Sequence, residues 1–288
     1  GGLGDFGVPL GRGAVWLDEP VRADSPSEAF LFEGFTRRSA HVAHEATRPV
    51  TFSFEVDRRG NGQWQRLREV VVPAGGSQWV AFGRGEHGAW VRVRVNHDCP
   101  KATVLFCFSN ADRRGSKPDQ RFRGLAGVNE GAMSGGLLHA QGGGTRTLSF
   151  AAARAQARTV ADAGLYELDA ALRLRRVEDA QRLAWMKQNA AIPRGVLTMD
   201  AASALFVDDT GKRWRLPKGD PALYSPSPLG DARVDREVCT ERDLFNAHGT
   251  FYELPAENAG GFARIRPIAT HNCRIHDYCS YRGLLVMS

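Results

Sequence analysis

Alternating apolar and polar positions mark the first third of the chain. The segment PVTFSFEVD places an apolar side chain at every second residue from Val50 to Val56, which is the period of a half-buried β-strand. Similar runs, separated by turns rich in glycine, asparagine and proline, continue to about residue 111. Short strands spaced in this way are typical of a β-sandwich. We therefore expect a β-sandwich module over residues 23–111.

The second half of the chain alternates between short strand-like runs and turns. In ASALFVDDTGKRWRLPKG, two such runs flank Asp209, Thr210 and Gly211, which predicts a β-hairpin. Strand-like units recur about every forty to fifty residues, the spacing of propeller blades, and roughly four of them are too few to close a ring. We therefore predict an all-β fold in which the sandwich is followed by part of a propeller-like domain.

Two segments of the second half carry helical signals. EDAQRLAWMKQNA, residues 178–190, sets Leu183, Trp185 and Met186 among polar residues and predicts one short helix that ends before IPRGV. In SFAAARAQARTVADAGLYELDAALRLRRV the alanines favour a helix, whereas the closing part favours a hairpin around Asp169. The sequence leaves both interpretations open.

Glycine-rich and polar stretches divide the chain into four parts. Residues 1–22 are interpreted as an extended glycine-rich segment and residues 112–147 as a loop-rich linker. The sandwich at 23–111 lies between them, and a propeller-like β domain, incomplete at its end, is expected over 148–288. Because the chain begins with GGLGDFG and stops in the strand-like YRGLLVMS, we expect part of a longer chain or a processed product.

Composition and charge limit the classes of partner. The 288 residues are 42% hydrophobic and 24% charged, as in ordinary soluble globular proteins, and no apolar run is long enough to predict a membrane span. The net charge of +6 comes from arginines scattered along the strand-like segments. This pattern favours a solvated surface or the recognition of acidic ligands over a nucleic-acid partner.

The cysteines do not indicate a disulfide scaffold. They number five, which is too few for a dense framework. Cys99 and Cys107 flank PKATVLF, where they could face each other across a hairpin or simply be small buried residues.

Three tryptophans lie on predicted strands of the sandwich. Trp64, Trp79 and Trp90 could stack on sugar rings, but tryptophan in a small sandwich more often fills the core. We predict that Trp64 or Trp90 is a core residue.

Chemistry-bearing side chains concentrate in THNCRIHDYCSYRG, residues 270–283. Two histidines, two cysteines, two tyrosines and two arginines fall within this stretch. His271, Cys273, His276 and Cys279 have the short spacings that zinc ligands often show. A structural zinc or calcium ion held by Cys273 and Cys279 is therefore one interpretation, and no other cofactor is indicated.

A catalytic interpretation adds the neighbouring segment FNAHGTFYELP. Histidine exchanges a proton near neutral pH, tyrosine can protonate a leaving oxygen, and arginine pairs with a carboxylate. These are the groups that β-elimination at a uronic acid requires. The residues predicted to act in catalysis are His248, Tyr252, His271, His276 and Tyr278. Those predicted to bind the substrate are Asn272, Arg274 and Arg282.

Other chemistries have less support in the sequence. A glycoside hydrolase needs two carboxylates flanking the bond, and Asp243, Glu253, Glu257 and Asp277 are candidates that no local motif sets apart. The helical HExxH zinc motif and the phosphate-binding P-loop are absent from the sequence. A polar strand and loop whose histidines only satisfy backbone groups is the remaining alternative.

Two segments resemble parts of known bacterial proteins. SPSEAFLFEGFTRRSAHVAHEATRPVTFSFEVDRRGNGQW with VRVRVNHDC resembles a β-sandwich module of large bacterial proteins, and FNAHGTFYELPAENAGGFARIRPIATHN with RIHDYCSYRGLLV resembles their propeller part. That architecture is similar to β-propeller polysaccharide lyases and glycosidases that act on rhamnose–glucuronate linkages, as in gum arabic or ulvan.

The resemblance implies a function and a location. In such lyases, histidine, tyrosine and arginine near the central channel do the chemistry, which points to the residues named above. It implies a secreted or periplasmic polysaccharide lyase whose partner is an acidic polysaccharide or oligosaccharide. The alternatives are a glycoside hydrolase on the same scaffold and a non-catalytic glycan-binding or assembly module with a structural His/Cys cluster.

Overall fold

The computed structural model describes residues 2–113, 115, 117, 119–142, 146–157 and 159–288. The described chain is built from short strands and carries one α-helix, so the all-β prediction is confirmed. The strands are β1 (Leu10–Val21), β2 (Ala29–Leu31), β3 (Arg37–His44), β4 (Val50–Asp57), β5 (Trp64–Val72), β6 (Ser77–Phe82), β7 (Trp90–Val95), β8 (Cys99–Ser109), β9 (Ala126–Gly127), β10 (Ala132–Ala140), β11 (Leu148–Gln156), β12 (Thr159–Leu168), β13 (Leu174–Val177), β14 (Leu197–Met199), β15 (Ala204–Val207), β16 (Arg213–Leu216), β17 (Asp235–Cys239), β18 (Arg242–Ala247), β19 (Thr250–Pro255), β20 (Arg266–Thr270), β21 (Cys273–Arg274), β22 (Tyr278–Tyr281) and β23 (Leu284–Met287). The helix is α1 (Ala180–Asn189), and 3₁₀ turns cover Leu3–Asp5, Gln120–Phe122, Pro221–Tyr224, Glu257–Ala259 and Gly261–Arg264.

The chain forms two compact units, each assembled from three separate stretches. The first unit comprises Gly1–Gly115, Val196–Gly219 and Thr250–His271, and the second comprises Ser116–Gly195, Asp220–Gly249 and Asn272–Ser288. This grouping differs from the linear division predicted at 112–147. The physical reason is a parallel pairing of β16 with β2, which places the hairpin of residues 204–216 in the same sheet as the sandwich strands.

The first unit contains two sheets with an aromatic core between them. One sheet has the order β1–β8–β3–β6 and the other the order β14–β15–β16–β2–β7–β4–β5. Phe30 stacks on Phe106 across the sheets at 4.8 Å between ring centroids, and Phe54 contacts Phe82 at 5.4 Å. The alternation in PVTFSFEVD follows from this arrangement, because every second residue of β4 is buried. The predicted sandwich strands therefore pack as two facing sheets.

Trp90 is a core residue, as predicted. Its side chain is fully buried, its ring centroid lies 4.4 Å from that of Trp214, and its indole N–H donates a hydrogen bond to the carbonyl of Ala263 at 2.9 Å. Trp64 is half-buried, and the Arg92 guanidinium lies 4.4 Å from its ring centroid. Trp79, by contrast, is 59% exposed.

The predicted hairpin at Asp209–Gly211 is confirmed. Strands β15 and β16 pair in register, with Phe206 opposite Trp214. The carboxylate of Asp208 accepts hydrogen bonds from the backbone of Thr210 and Lys212 and from the indole of Trp214. Side-chain acceptors of this kind stabilise the turn locally.

Strand β8 corrects one expectation about the cysteines. Cys99 and Cys107 lie on this single strand, so they do not face each other across a hairpin. All five cysteines are free thiols. The segment is a strand because its alternate residues fill the core of the sandwich.

The second unit contains an antiparallel sheet of four consecutive strands, β10–β11–β12–β13. The alanine-rich run forms β11 and pairs with both neighbours, so the helical interpretation was wrong and the hairpin at Asp169 is confirmed. Small side chains suit this sheet, because a Cβ on Gly136 would lie 2.0 Å from the carbonyl oxygen of Ala151. Tertiary pairing here overrides the helical propensity of alanine.

Helix α1 confirms the predicted helical segment. The side chain of Asp179 caps the helix by accepting a hydrogen bond from the backbone N–H of Arg182. Met186 is fully buried and packs against Ala151 and Leu165. The helix is therefore held against the sheet by one apolar edge.

The remaining strands all pair antiparallel. Strand β17 pairs with β18, β19 with β20, β21 with β9 and β22 with β23. Within the ranges that the structure describes, these sheets show no propeller closure, and β14–β16 extend the seven-stranded sheet of the first unit instead of forming a blade. The propeller-like domain remains a prediction. No described helix is long and apolar enough to cross a membrane.

Candidate functional site

His271 lies at the end of β20 in the first unit and is packed among aromatic rings. It is 5% exposed, and its ring centroid lies 5.4 Å from that of Phe6 and 5.1 Å from that of Phe251. Tyr252, also in the first unit, is fully buried with its hydroxyl 3.5 Å from the carbonyl oxygen of Pro217. Burial of both side chains favours a packing role, since neither is open to a glycan.

A buried ion pair organises the C-terminal segment of the second unit. Asp277 is fully buried and accepts hydrogen bonds from the Arg233 Nε at 2.5 Å and from the backbone N–H of Leu138 at 2.8 Å. Arg236 lies 3.4 Å from the same carboxylate. From the sequence, Asp277 was only one of several candidate carboxylates, because nothing in its local sequence indicates that arginines about forty residues upstream lie beside it.

Tyr278 is held by the core of the second unit. Its side chain is fully buried, and its hydroxyl lies within hydrogen-bond distance of the carbonyl oxygens of Val234, at 3.0 Å, and Leu244, at 2.5 Å. Burial, followed by the charges of Asp235 and Asp277, raises the pKa of the phenol above its usual value of 10.0. A phenol in this position favours a structural role over protonation of a leaving oxygen.

The two cysteines of the segment have different surroundings. Cys279 is buried in an apolar cluster with Leu138, Leu148 and Tyr281, and burial raises the pKa of its thiol to about 11. Cys273 is half-buried opposite Gly127 in the β9–β21 pair. Among the described residues, no group of three or more His, Cys, Asp or Glu side chains is arranged to hold a metal ion. The zinc or calcium interpretation therefore has no support in this geometry.

The three predicted substrate-binding residues occupy separate places in the second unit. Asn272 is exposed. Arg282 is exposed in the turn between β22 and β23, where its φ of 53° and the φ of 76° at Gly283 are those of a tight hairpin turn. Arg274 is half-buried and lines a largely apolar cavity.

His276 lines a different cavity, with a volume of about 430 Å³. The other lining residues are Leu137, Ala191, Ile192, Arg194, Leu229, Gly230 and Asp231. The backbone of His276 is fixed, because its N–H donates to the carbonyl of Ser288 at 2.7 Å and its carbonyl accepts from the N–H of Arg233 at 2.8 Å. The imidazole Nδ1 is buried and has no hydrogen-bond partner in the part of the chain that the structure describes.

Burial has the largest effect on the pKa of His276. Burial lowers the pKa of its imidazole below the usual 6.5, Arg233 adds to the shift, and Asp277 and Asp231 oppose it. A histidine with a lowered pKa is unprotonated at neutral pH, so it can accept a proton from a bound molecule. Arg194 supplies a positive charge and Asp231 a negative one at the same cavity.

His248 lies in the turn that follows β18. Its φ of 43° and the φ of 107° at Gly249 both fall in the left-handed region, as in a two-residue hairpin turn. Burial lowers the pKa of His248, while a hydrogen bond with the backbone of Leu223 and the charge of Asp231 raise it. Asp231 therefore acts electrostatically on both His248 and His276.

The predicted site residues thus fall into two groups. His248 and His276 belong to the second unit and share the influence of Asp231, whereas His271 and Tyr252 belong to the first unit. Sequence reasoning missed Arg194 and Asp231, which lie in IPRGV and in the proline-rich stretch before β17. The run Pro-Arg-Gly after a helix was a signal for a loop, but only the fold places that loop beside His276.

Comparisons with known proteins add little. No family model matches the chain, and no curated protein matches it. Among solved structures the chain is similar to PirA, at 12% identity and a TM-score of 0.21, over 35% of this chain and 85% of that one. It is also similar to the PBSX exported protein XepA, at 11% identity and a TM-score of 0.26, over 49% of this chain and 56% of that one, so the chain spans only about half the length of XepA. At these scores neither likeness carries an argument about function.

Proposed function

We propose that this protein is a polysaccharide lyase that cleaves a uronate-containing glycan of the rhamnose–glucuronate type by β-elimination at the cavity lined by His276. The observation that carries the proposal is a half-buried histidine that shares a cavity of about 430 Å³ with an arginine and whose pKa is lowered by burial. A cavity of this size with a few convergent polar groups is typical of small-molecule sites.

The reaction requires three actions, and the cavity offers groups for each. The uronate carboxylate is neutralised by Arg194, which makes the adjacent C–H bond more acidic. His276 accepts the proton from that carbon, the carbon–oxygen bond to the next sugar breaks, and a carbon–carbon double bond forms. The leaving oxygen then takes a proton from the His276 imidazolium or from water.

The number of carboxylates in the cavity favours β-elimination over hydrolysis. Hydrolysis of a glycosidic bond needs two carboxyl groups on either side of the bond. Among the described residues that line the His276 cavity, Asp231 is the one carboxylate. The buried positions of Tyr252 and Tyr278 also leave His276 as the group for proton transfer.

A pair of carboxylates elsewhere in the second unit supports hydrolysis as the second candidate. Burial and the charge of Asp243 raise the pKa of Asp235 to about 6, and burial and the charge of Glu237 raise that of Asp243. A protonated carboxyl beside a second carboxyl is the acid–base arrangement of glycosidases. These residues lie on β17 and β18, outside the His276 cavity.

The reaction type is tested by incubating the protein with rhamnose–glucuronate polysaccharides and analysing the products. A lyase creates reducing ends together with the ultraviolet absorbance of an unsaturated uronate. A hydrolase creates reducing ends without that absorbance, and a glycan-binding module creates neither. Reducing ends without the absorbance, or glycan binding without cleavage, would overturn the proposal.

The pH dependence supplies an independent check. His276 must be unprotonated to accept the proton, so kcat/KM is expected to rise with pH through a value below 6.5, because burial lowers the pKa of this imidazole. A rate that increases as the pH falls through this range would contradict His276 as the base.

A further inference from the structure

A second cavity of the second unit is largely apolar and has a volume of about 310 Å³. Its wall includes Leu138 and Leu148 from the β10–β11 pair and Val286 from β23. Leu138 and Leu148 are buried, and Phe150 and Val286 pack against them. The wall is therefore continuous with the core, so the cavity is formed before any ligand binds.

Arg274 places one positive charge at this apolar cavity. The residue is half-buried on β21, opposite Ala126 of β9, which also lines the cavity. Its guanidinium donates to the carbonyl oxygens of Val128 and Ser225, each at 3.3 Å, and of Ala222 at 3.4 Å. These distances exceed those of good N–H···O hydrogen bonds.

No carboxylate of the described ranges forms an ion pair with Arg274. Two other arginines of the same unit, Arg233 and Arg236, both lie within 4.0 Å of Asp277. The charge of Arg274 is thus matched only by weakly aligned carbonyl groups. A ligand carboxylate could form shorter, charge-assisted hydrogen bonds with the same guanidinium.

We propose that this cavity binds a medium-chain fatty acid, with the acyl chain against Leu138, Leu148 and Val286 and the carboxylate paired with Arg274. The volume is at the lower end of the range for ligand sites, which suits a single short chain. A sugar fits poorly, because its hydroxyl groups would lose their hydrogen bonds against leucine, valine and phenylalanine. This proposal uses other residues than the lyase proposal and does not depend on it.

The test measures binding of decanoate by calorimetry, with decanol and butyrate as the comparison ligands. Decanoate is expected to bind at one site, decanol more weakly because it lacks the charge, and butyrate hardly at all because it lacks the chain. Arg274→Gln should weaken decanoate about tenfold or more while leaving decanol unchanged. Arg173→Gln, at an exposed position of the same unit, should change neither.

A second variant keeps the test informative if Arg274→Gln does not fold. Leu174 lines the cavity and is 58% exposed, so Leu174→Asp can introduce a negative charge at the opening without emptying the core. It should weaken decanoate at least as strongly as Arg274→Gln. Leu284→Asp is the matched control, because Leu284 is 47% exposed and lies outside the cavity lining. No binding of decanoate, or equal binding by Leu174→Asp and the unaltered protein, would overturn the proposal.

Discussion

The carboxylate of Asp277 is fully buried, and two arginines compensate its charge. Removing one member of such a group leaves the others as buried charges without a partner, which costs far more than the intact group contributes. The second unit therefore depends on this residue for its stability.

Asp277→Ala is expected to lower the free energy of unfolding by about 3–5 kcal/mol, because Arg233 and Arg236 lose their counter-charge. Urea denaturation measures the change. Asp209→Asn, at an exposed position of the confirmed hairpin, should stay within about 0.5 kcal/mol of the unaltered protein. A loss from Asp277→Ala no larger than that of the control would contradict the assignment.

Trp90 and Trp79 allow a buried and an exposed tryptophan of the first unit to be compared. Trp90→Ala should cost about 3–5 kcal/mol, because it empties a fully buried site and removes the hydrogen bond to Ala263. Trp79→Ala should leave stability within about 0.5 kcal/mol, because Trp79 is 59% exposed. Equal losses in the two variants, measured by denaturation, would show that the burial of Trp90 does not stabilise the sandwich.

Elements whose signals are local were predictable from the sequence. The hairpin at Asp209–Gly211 and the helix at residues 178–190 each depend on contacts within a few residues, such as the Asp179 cap. The sequence did not determine whether the β11 segment is a helix or a strand, because its alanines favour a helix. Pairing with β10 and β12 makes it a strand. Local propensity is a weak prior where tertiary pairing competes with it.

The candidate site was harder to predict than these elements. The enrichment of histidine, tyrosine and arginine near the C-terminal end pointed to His276, which lines a cavity of the second unit. It also pointed to His271 and Tyr278, which the core buries. Which polar side chains are enclosed depends on residues far away in the sequence, such as Phe6 beside His271.

The β17–β18 pair makes stability depend on pH. Burial and the charge of Asp243 raise the pKa of Asp235 to about 6, above its usual 3.8. The folded protein then binds this proton more tightly than the unfolded chain, so the contribution of Asp235 to stability is fully present below the unfolded pKa and is lost as the pH rises through 6. Because the side chain of Asp235 is exposed, solvent screens much of this effect.

Compared with the unaltered protein, Asp235→Asn is expected to raise the melting temperature more at pH 8 than at pH 4, because asparagine cannot ionise. Asp243→Asn should shift it in the same direction, since it removes the neighbouring charge that raises the pKa of Asp235. Thermal unfolding at the two pH values measures both variants. A change in melting temperature that is the same at pH 4 and pH 8 would contradict the raised pKa.

At the scale of the whole molecule, the two compact units do not follow the order of the chain, because each contains stretches that are separated in the sequence. The first unit takes residues from three stretches, and the parallel pairing of Trp214 with Ala29 joins two of them. This pairing joins residues that are far apart in the sequence, and no local sequence pattern predicts it. The linear boundaries at 112 and 148 were drawn from composition alone, which cannot detect a strand that returns to an earlier sheet.

Cleavage at a protease site inserted after Asp112, between β8 and β9, should nick the chain without separating the parts of the first unit. The reason is that β16 is hydrogen-bonded to β2 and the carbonyl of Ala263 to Trp90. Size-exclusion chromatography under native conditions should show the two fragments together, and under denaturing conditions apart. Elution of the N-terminal fragment alone under native conditions would contradict the composition of this unit.

The lyase proposal is tested most directly by one comparison of unsaturated-uronate absorbance, made with the unaltered protein and His276→Gln on the same rhamnose–glucuronate polysaccharide. Glutamine keeps a polar side chain at the cavity but cannot move the proton, so the rate should fall about a hundredfold or more while circular dichroism stays unchanged. His87→Gln, at an exposed position of the first unit, should retain the full rate. An equal rate in the His276→Gln variant, or no absorbance from the unaltered protein, would contradict the account.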